Sequence, residues 1–266
     1  MSISPLAVVD KKAVIADDVE IGPFCVVGPD VTIGPGCRLH NHVTLMGPLV
    51  LGSNNVLYPN VVLGGAPQDR KYRGAPTRLE IGNSNILREA VTLHRGTEKG
   101  GGITRVGNNN YFMVNTHAGH DAQVGSNCTF ANNVMIAGHV VIHDGVTMAG
   151  AVGIHHFVTV GELSFLGAFS RIRHDVPPFS KVDGGDVFRG INVVGLRRSG
   201  QFTQEDIEAL EEACRQLFYR DKPFAVAMAE FDTMNGLNRH VRRMIEFFHR
   251  RDLGKHGRYL EGMRGK

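Results

Sequence analysis

Residues 21–39 read IGPFCVVGPDVTIGPGCRL. Ile21, Val27, Ile33 and Leu39 recur every six residues, and Gly22, Gly28 and Gly34 each follow one of them. A strand repeats every two residues and a helix every 3.6, so a sustained step of six is neither. The step runs back through Ile15, Val9 and Ile3, and forward through Leu45, Leu51, Leu57 and Leu63. It resumes at Ile81, Leu87 and Leu93, slips by one residue, and continues from Val106 to Ile172. A column of small residues follows each aliphatic by four positions, as at Cys25, Val31, Cys37, Ala122, Cys128 and Val134. Short strands joined by tight turns give this pattern, with the aliphatic pointing inward on every turn of a parallel β-helix. Three hexads make an 18-residue coil, and about nine coils at ~4.8 Å spacing make a prism roughly 40 Å long.

Two stretches break the period. Residues 66–78, APQDRKYRGAPTR, are polar and basic, and residues 95–105, RGTEKGGGITR, are rich in glycine. Both are expected as excursions from the coil, and loops on a rigid scaffold often carry function. KGGGITR lacks the spacing and the GK[ST] ending of a phosphate-binding loop. The period ends near DVPPF (175–179), so residues 1–190 are expected as the β-helix and 191–266 as a helical domain. Thr203 is the expected N-cap of a helix with Ile207, Leu210, Cys214 and Leu217 on its inner face, and Pro223 breaks it. Helical patterns follow at about 223–234 and 238–251.

Composition excludes several classes. The 266 residues carry a net charge of +3, too little to argue for nucleic acid without a basic stripe. The N-terminus has no secretory signal pattern, and no apolar run approaches the ~20 residues of a membrane span. A cytoplasmic protein is expected. None of the four cysteines forms a CxxC pair, and three fall in the core column.

The 18-residue coil also places the histidines. His120 stacks under Gly138, and His139 follows it. His117 lies three residues before His120, His155 and His156 lie about one coil above His139, and His94 lies about one coil below His117. Two chemistries use such a cluster. Histidines on adjacent coils can bind zinc, as in hexapeptide carbonic anhydrases. Alternatively, His120 is a general base oriented by Asp121, with the Gly138 N–H polarising a carbonyl.

PQDRKY (67–72), HRGT (94–97), GHDAQVG (119–125), AGHV (137–140), DVPPF (175–179) and NVVGLRRSG (192–200) occur in this order. With them the chain resembles the UDP-N-acetylglucosamine O-acyltransferases over nearly its whole length. The resemblance implies a left-handed β-helix, against the usual right-handed crossover rule. It also implies a homotrimer with sites between subunits and transfer of a 3-hydroxyacyl group from acyl carrier protein to a UDP-sugar, without cofactor or metal. It implies His120 as base, Asp121 as its partner and Gly138 as oxyanion donor. Gln68, Asp69, Lys71, His94, His117, His139, His155, Asn192 and Arg198 are then substrate contacts or supports, and Gly167 and Ala168 measure the acyl tail. Val194 stands where many relatives carry Glu, which leaves a 3-hydroxyl or a 3-amino sugar as acceptor. The basic tail, with Arg239, Arg242, Arg243, Arg250 and Arg251, is expected to recruit the acidic carrier protein. A carbonic anhydrase would leave the nucleotide-contact motifs and the C-terminal helices idle, and a purely structural solenoid would not need converging histidines.

Overall fold

The computed structural model describes residues 2–219 and 222–264. Met1, Arg220, Asp221, Gly265 and Lys266, which the expected domains include, lie outside the described residues. The hexads form strands of two to five residues stacked in three sheets of 11, 9 and 8 strands, the faces of a left-handed parallel β-helix. Partners lie one coil apart, as in Ile3↔Ile21 and Ile21↔Leu39. Ile21, Val27, Ile33 and Leu39 are at most 3% exposed, so the six-residue aliphatic step is the core. Cys25, Cys37 and Cys128 are free and buried in the same core.

From the second coil onward, most corners place one residue in a left-handed backbone. Asp30, His42, Asn54, Asn60, Asn109, Asn115, Asn127 and Asn133 all have φ between 57° and 64°. Asn, Asp and His tolerate this region better than other non-glycine residues, which explains why polar residues mark the corners without disturbing the core.

One inner column turns polar where the excursions leave the coil. Asn55, Asn85 and Asn110 occupy the level of Cys37 and Cys128 on consecutive coils and are at most 1% exposed. Asn85 Nδ2 donates to Asn55 Oδ1 (3.0 Å), and Asn110 N donates to Asn85 Oδ1 (2.9 Å). Their amides also reach the carbonyls of Gly82, Gly107 and Gly125. Buried amides are tolerated when satisfied in this way, and the ladder fixes the register of the coils.

The first excursion occupies 66–77, between strands Val62–Gly65 and Arg78–Ile81. The second is shorter than expected. Residues 103–105 lie in strand Ile103–Val106, paired with Arg78–Ile81, so only 95–102 leave the coil. The parallel stack ends at Ser180–Asp183, against which Val187–Ile191 folds back antiparallel. Among the described residues five helices follow: α1 (Val193–Ser199), α2 (Gln204–Phe218), α3 (Phe224–Thr233), α4 (Arg239–Asp252) and α5 (Tyr259–Met263). Thr203 caps α2 in a capping box with Asp206, and Ile207, Leu210, Cys214 and Leu217 are buried on its inner face. A second core of Phe179, Leu196, Leu210, Phe231, Met244 and Phe248 joins the helices to the end of the coil. Arg243 pairs with Glu162 at 2.5 Å, and Asp175 accepts from Tyr259 N at 2.8 Å, tying α4 and α5 to the prism. Among the described residues no helix is long and apolar enough to cross a membrane.

Candidate active site

The corner residues Asp121, His139 and Phe157 have φ near 60° and stack on three successive coils. Preceding each, His120, Gly138 and His156 form a second column. His120 is 7% and Asp121 4% exposed. His120 Nδ1 donates to Asp121 Oδ2 (2.7 Å), the hydrogen bond that fixes the tautomer and leaves Nε2 able to take a proton.

Asp121 is held from the second excursion. Thr97 N donates to Oδ1 (2.7 Å), Thr97 Oγ1 donates to Oδ2 (2.6 Å), and Asp121 N donates to Thr104 Oγ1 (2.8 Å). Burial pushes the carboxyl up, but the hydrogen bonds from His120 and Thr97 outweigh it and keep it below its ordinary range. The glycine run of this loop is not mere slack. A side-chain carbon on Gly100 would sit 2.0–2.4 Å from the Asp121 carboxyl group. Thr97, Gly100 and Thr104 carry no role in the sequence reading, since no repeat arithmetic predicts where an excursion folds back.

Gly138 lies directly over His120. A Cβ there would lie 2.7–3.1 Å from the His120 ring, so only glycine fits. The Gly138 N–H has no acceptor among the described residues. His139 stands edge-on to His120 (5.0 Å between centroids, 87°), with Nε2 3.6 Å from Asp121 Oδ2. Burial is the main cause that lowers the His139 pKa.

His117 sits on the strand leading into this corner, where Thr92 Oγ1 and His117 Nδ1 are 2.8 Å apart and the His94 ring is 5.3 Å away. Burial, then the neighbouring His94, lowers the His117 pKa. His94 Nδ1 reaches the Ala66 carbonyl at 2.7 Å, which anchors the start of the first excursion. In that excursion Gln68 and Lys71 are exposed, and Asp69 accepts from Lys71 N at 2.8 Å. That bond is the main cause lowering the Asp69 pKa, and the charges of His120 and His139 add to it. The excursion therefore overhangs the histidine corner.

His155 does not join the cluster. Its ring is exposed and faces His156, and its Nδ1 meets the His156 carbonyl at 3.1 Å. His156 takes the place expected of it. It stands one coil above Gly138 and is exposed like His155, but its ring meets the Gly138 backbone, and partial desolvation lowers its pKa.

Asn192 and Arg198 lie elsewhere. With Lys181, Asp144, Asn127 and Val194 they line a cleft of about 940 Å³. Its corner residues Asn127, Gly145 and Leu163 belong to the corner after that of Asp121, His139 and Phe157, so one chain does not bring the two sets together. Asn192 is largely committed to structure, accepting from Gly195 N (3.2 Å) as the α1 cap and donating to the Leu163 carbonyl (2.8 Å). Arg198 is exposed and has no acidic partner among the described residues. Gly167 leaves room for the Asp183 carboxylate, which a Cβ would meet at 2.5 Å, while Ala168 is exposed.

His120, Asp121 and His139 are the one set among the described residues whose ligand atoms lie close enough, within 4.8 Å of one another, to share a metal. Both Asp121 oxygens are already engaged by Thr97 and His120, which is the arrangement of a base held by its carboxylate.

The profile of bacterial transferase hexapeptide repeats matches residues 12–47 and 103–138. The profile described as Udp N-acetylglucosamine O-acyltransferase, domain 2, matches residues 175–256. The acyl-[acyl-carrier-protein]–UDP-N-acetylglucosamine O-acyltransferase of Stenotrophomonas maltophilia (strain K279a) is 42% identical, over 92% of this chain and 94% of its own length. The chain belongs to the UDP-N-acetylglucosamine O-acyltransferase family. Solved structures of this family align throughout. The Acinetobacter baumannii enzyme is 40% identical with a TM-score of 0.86, covering 92% of this chain and 95% of its own. The Francisella novicida enzyme is 36% identical with a TM-score of 0.88, covering 93% and 91%. Membership of an acyltransferase family disfavours the carbonic anhydrase reading.

Proposed function

We propose that the chain transfers a 3-hydroxyacyl group from acyl carrier protein to the 3-position of UDP-N-acetylglucosamine, the opening step of lipid A biosynthesis. The observation that carries this reading is the His120–Asp121–Thr97 clamp beneath the Gly138 N–H, which has no acceptor among the described residues. His120 Nε2 takes the proton of the sugar 3-hydroxyl as its oxygen attacks the thioester carbonyl. Gly138 N–H donates to the oxyanion, the C–S bond breaks, and the imidazolium returns its proton to the carrier thiolate. His117 and His139, whose pKa values burial lowers, contact the substrates beside the base. Gln68, Asp69 and Lys71 close over the acceptor.

Because Asn192 and Arg198 lie one corner away from His120, the reading requires a neighbouring copy to bring its cleft to this corner, which a homotrimer does. Arg198 and Lys181 then suit the diphosphate. Val194 places an apolar group on the cleft wall, and it leaves the 3-amino sugar as an alternative acceptor. This reading puts the protein in the cytoplasm, where four free cysteines stay reduced.

The test is acyl transfer by wild type and His120→Ala with hydroxyl and amino sugars. Loss of a general base typically costs 10²–10⁴ in rate. Activity of folded His120→Ala within threefold of wild type refutes the base assignment. Full activity is expected after dialysis against a chelator; loss restored by zinc refutes the metal-free mechanism.

A further inference from the structure

The α5 segment reaches the histidine corner from outside the coil. Arg264, just beyond α5, places its guanidinium 5.1 Å from the centroid of Phe157. Phe157 stacks on His139 at 4.6 Å with only 7° between the rings. His139 in turn stands edge-on to His120 and near Asp121. The column is thus cation, phenyl, imidazole and catalytic imidazole in direct succession. The segment carrying Arg264 is fixed to the prism: Tyr259 N donates to Asp175 at 2.8 Å and Arg258 Nη1 to the Arg173 carbonyl at 2.8 Å.

The Phe157 corner is not demanded by the fold. Other left-handed positions of the coil carry asparagine, alanine, glycine, leucine or phenylalanine, so the angle itself does not select phenylalanine. Phe24 stacks on His42 in a similar way at a distant corner, but among the described residues only the Phe157 ring, parallel to His139, has its imidazole partner beside His120 and Asp121. Arg264 keeps a side-chain exposure of 60% and, among the described residues, meets the Glu261 carboxylate only at 3.8 Å. Its closest ring contact is therefore Phe157, and a cation over an aromatic face is attractive at this distance.

We infer that Phe157 and Arg264 are positioning residues for acyl transfer, Phe157 by pinning the His139 ring against His120 and Arg264 by pinning Phe157. The inference rests on the assignment of His120 as base. If it holds, Phe157→Ala frees the His139 ring, and Arg264→Ala loosens it only through Phe157.

The experiment is a double-mutant cycle in acyl transfer, with thermal unfolding of each variant as the control for folding. Phe157→Ala should lower kcat at least tenfold with both KM values within about twofold, and Phe157→Tyr should restore it. Arg264→Ala should lower kcat by about two- to fivefold and Arg264→Lys should not. The double variant should match Phe157→Ala. Multiplying losses would overturn the inference, as would a rise in KM with kcat unchanged, which would make Arg264 a direct contact to a substrate anion. If Phe157→Ala does not fold, the same cycle run on Phe157→Leu decides, because leucine keeps bulk without a π face. Absence of transfer by the wild-type protein would instead refute the proposed function itself.

Discussion

The glycine run at 100–102 separates a catalytic requirement from a conformational one. Gly101 and Gly102 have φ of 90° and 78° and open space where a Cβ would go. Gly100 has no such backbone angle, yet a Cβ there would lie 2.0 Å from the Asp121 carboxyl carbon and 2.2 and 2.4 Å from its oxygens. Ordinary contact begins at about 3.5 Å, so the loop and the carboxylate must part by roughly 1.5 Å. That displacement breaks the 2.6 and 2.7 Å bonds from Thr97 or turns Asp121 off His120. A misplacement of about 1 Å at a reacting group can cost 10²-fold. Gly100→Ala is therefore expected to lower kcat about 100-fold in steady-state acyl transfer, with the melting temperature little changed because the loop buries little. Gly101→Ala meets only backbone strain, of order 1–3 kcal/mol, and should keep kcat within about threefold. Wild-type kcat in Gly100→Ala, or equal losses in both variants, would refute the claim that this loop acts through Asp121.

Three further outcomes are expected. If Ala168 blocks the acyl groove, Ala168→Gly shifts the donor preference to longer chains and Ala168→Met to shorter ones, at about 0.8 kcal/mol per buried methylene and 1–3 kcal/mol for overpacking; an unchanged profile across a donor panel places the ruler elsewhere. The α4 arginines split by partner. Arg243 pairs with Glu162, and Arg251 pairs with Asp252 and covers Phe248, whereas Arg242 is exposed with no partner among the described residues. Arg242→Glu should raise KM for the carrier protein in a salt-dependent way, and Arg251→Glu should lower the melting temperature instead; the reverse pattern would contradict this division. Asp206 is held at about 2, first by the Asn238 amide and then by the Thr203 backbone. A depressed carboxyl adds stability above its unfolded pKa that is lost as pH falls through the folded one. The melting-temperature gap between wild type and Asn238→Ala should then be full above pH ~4 and close towards pH ~2; a gap independent of pH would mean that Asn238 acts only as the α4 cap.

The coil was legible because its core is written at one fixed step, and i+18 arithmetic carries His120 to Gly138. The same arithmetic carries Gly138 to His156, which the sequence reading places on that coil but gives no role. Thr97 and Gly100 were out of reach for another reason. An excursion folds back by contacts that no period encodes, so the residues holding Asp121 look like any polar, glycine-rich loop. The asparagine ladder escaped similarly, since Asn55, Asn85 and Asn110 stand on consecutive coils but 30 and 25 residues apart, off the 18-residue step. The basic stretch of α4 reads as one charged patch in sequence, but Glu162 and Tyr259, which engage Arg243 and Arg250, come from other elements, and Arg251 is taken up by Phe248 and Asp252 of α4 itself.

The left-handed corners also set which mutations the proposed catalytic centre can explore. Asp121, His139 and Phe157 each hold φ between 61° and 65°, a region that β-branched side chains all but forbid. A library randomised at 139 should return glycine, asparagine and aspartate among its folded members and reject valine, isoleucine and threonine before chemistry is ever tested. Variation in this enzyme is thus channelled: the walls of the groove can drift in size and polarity, while the corner that aims the base is open only to a short, mostly polar alphabet.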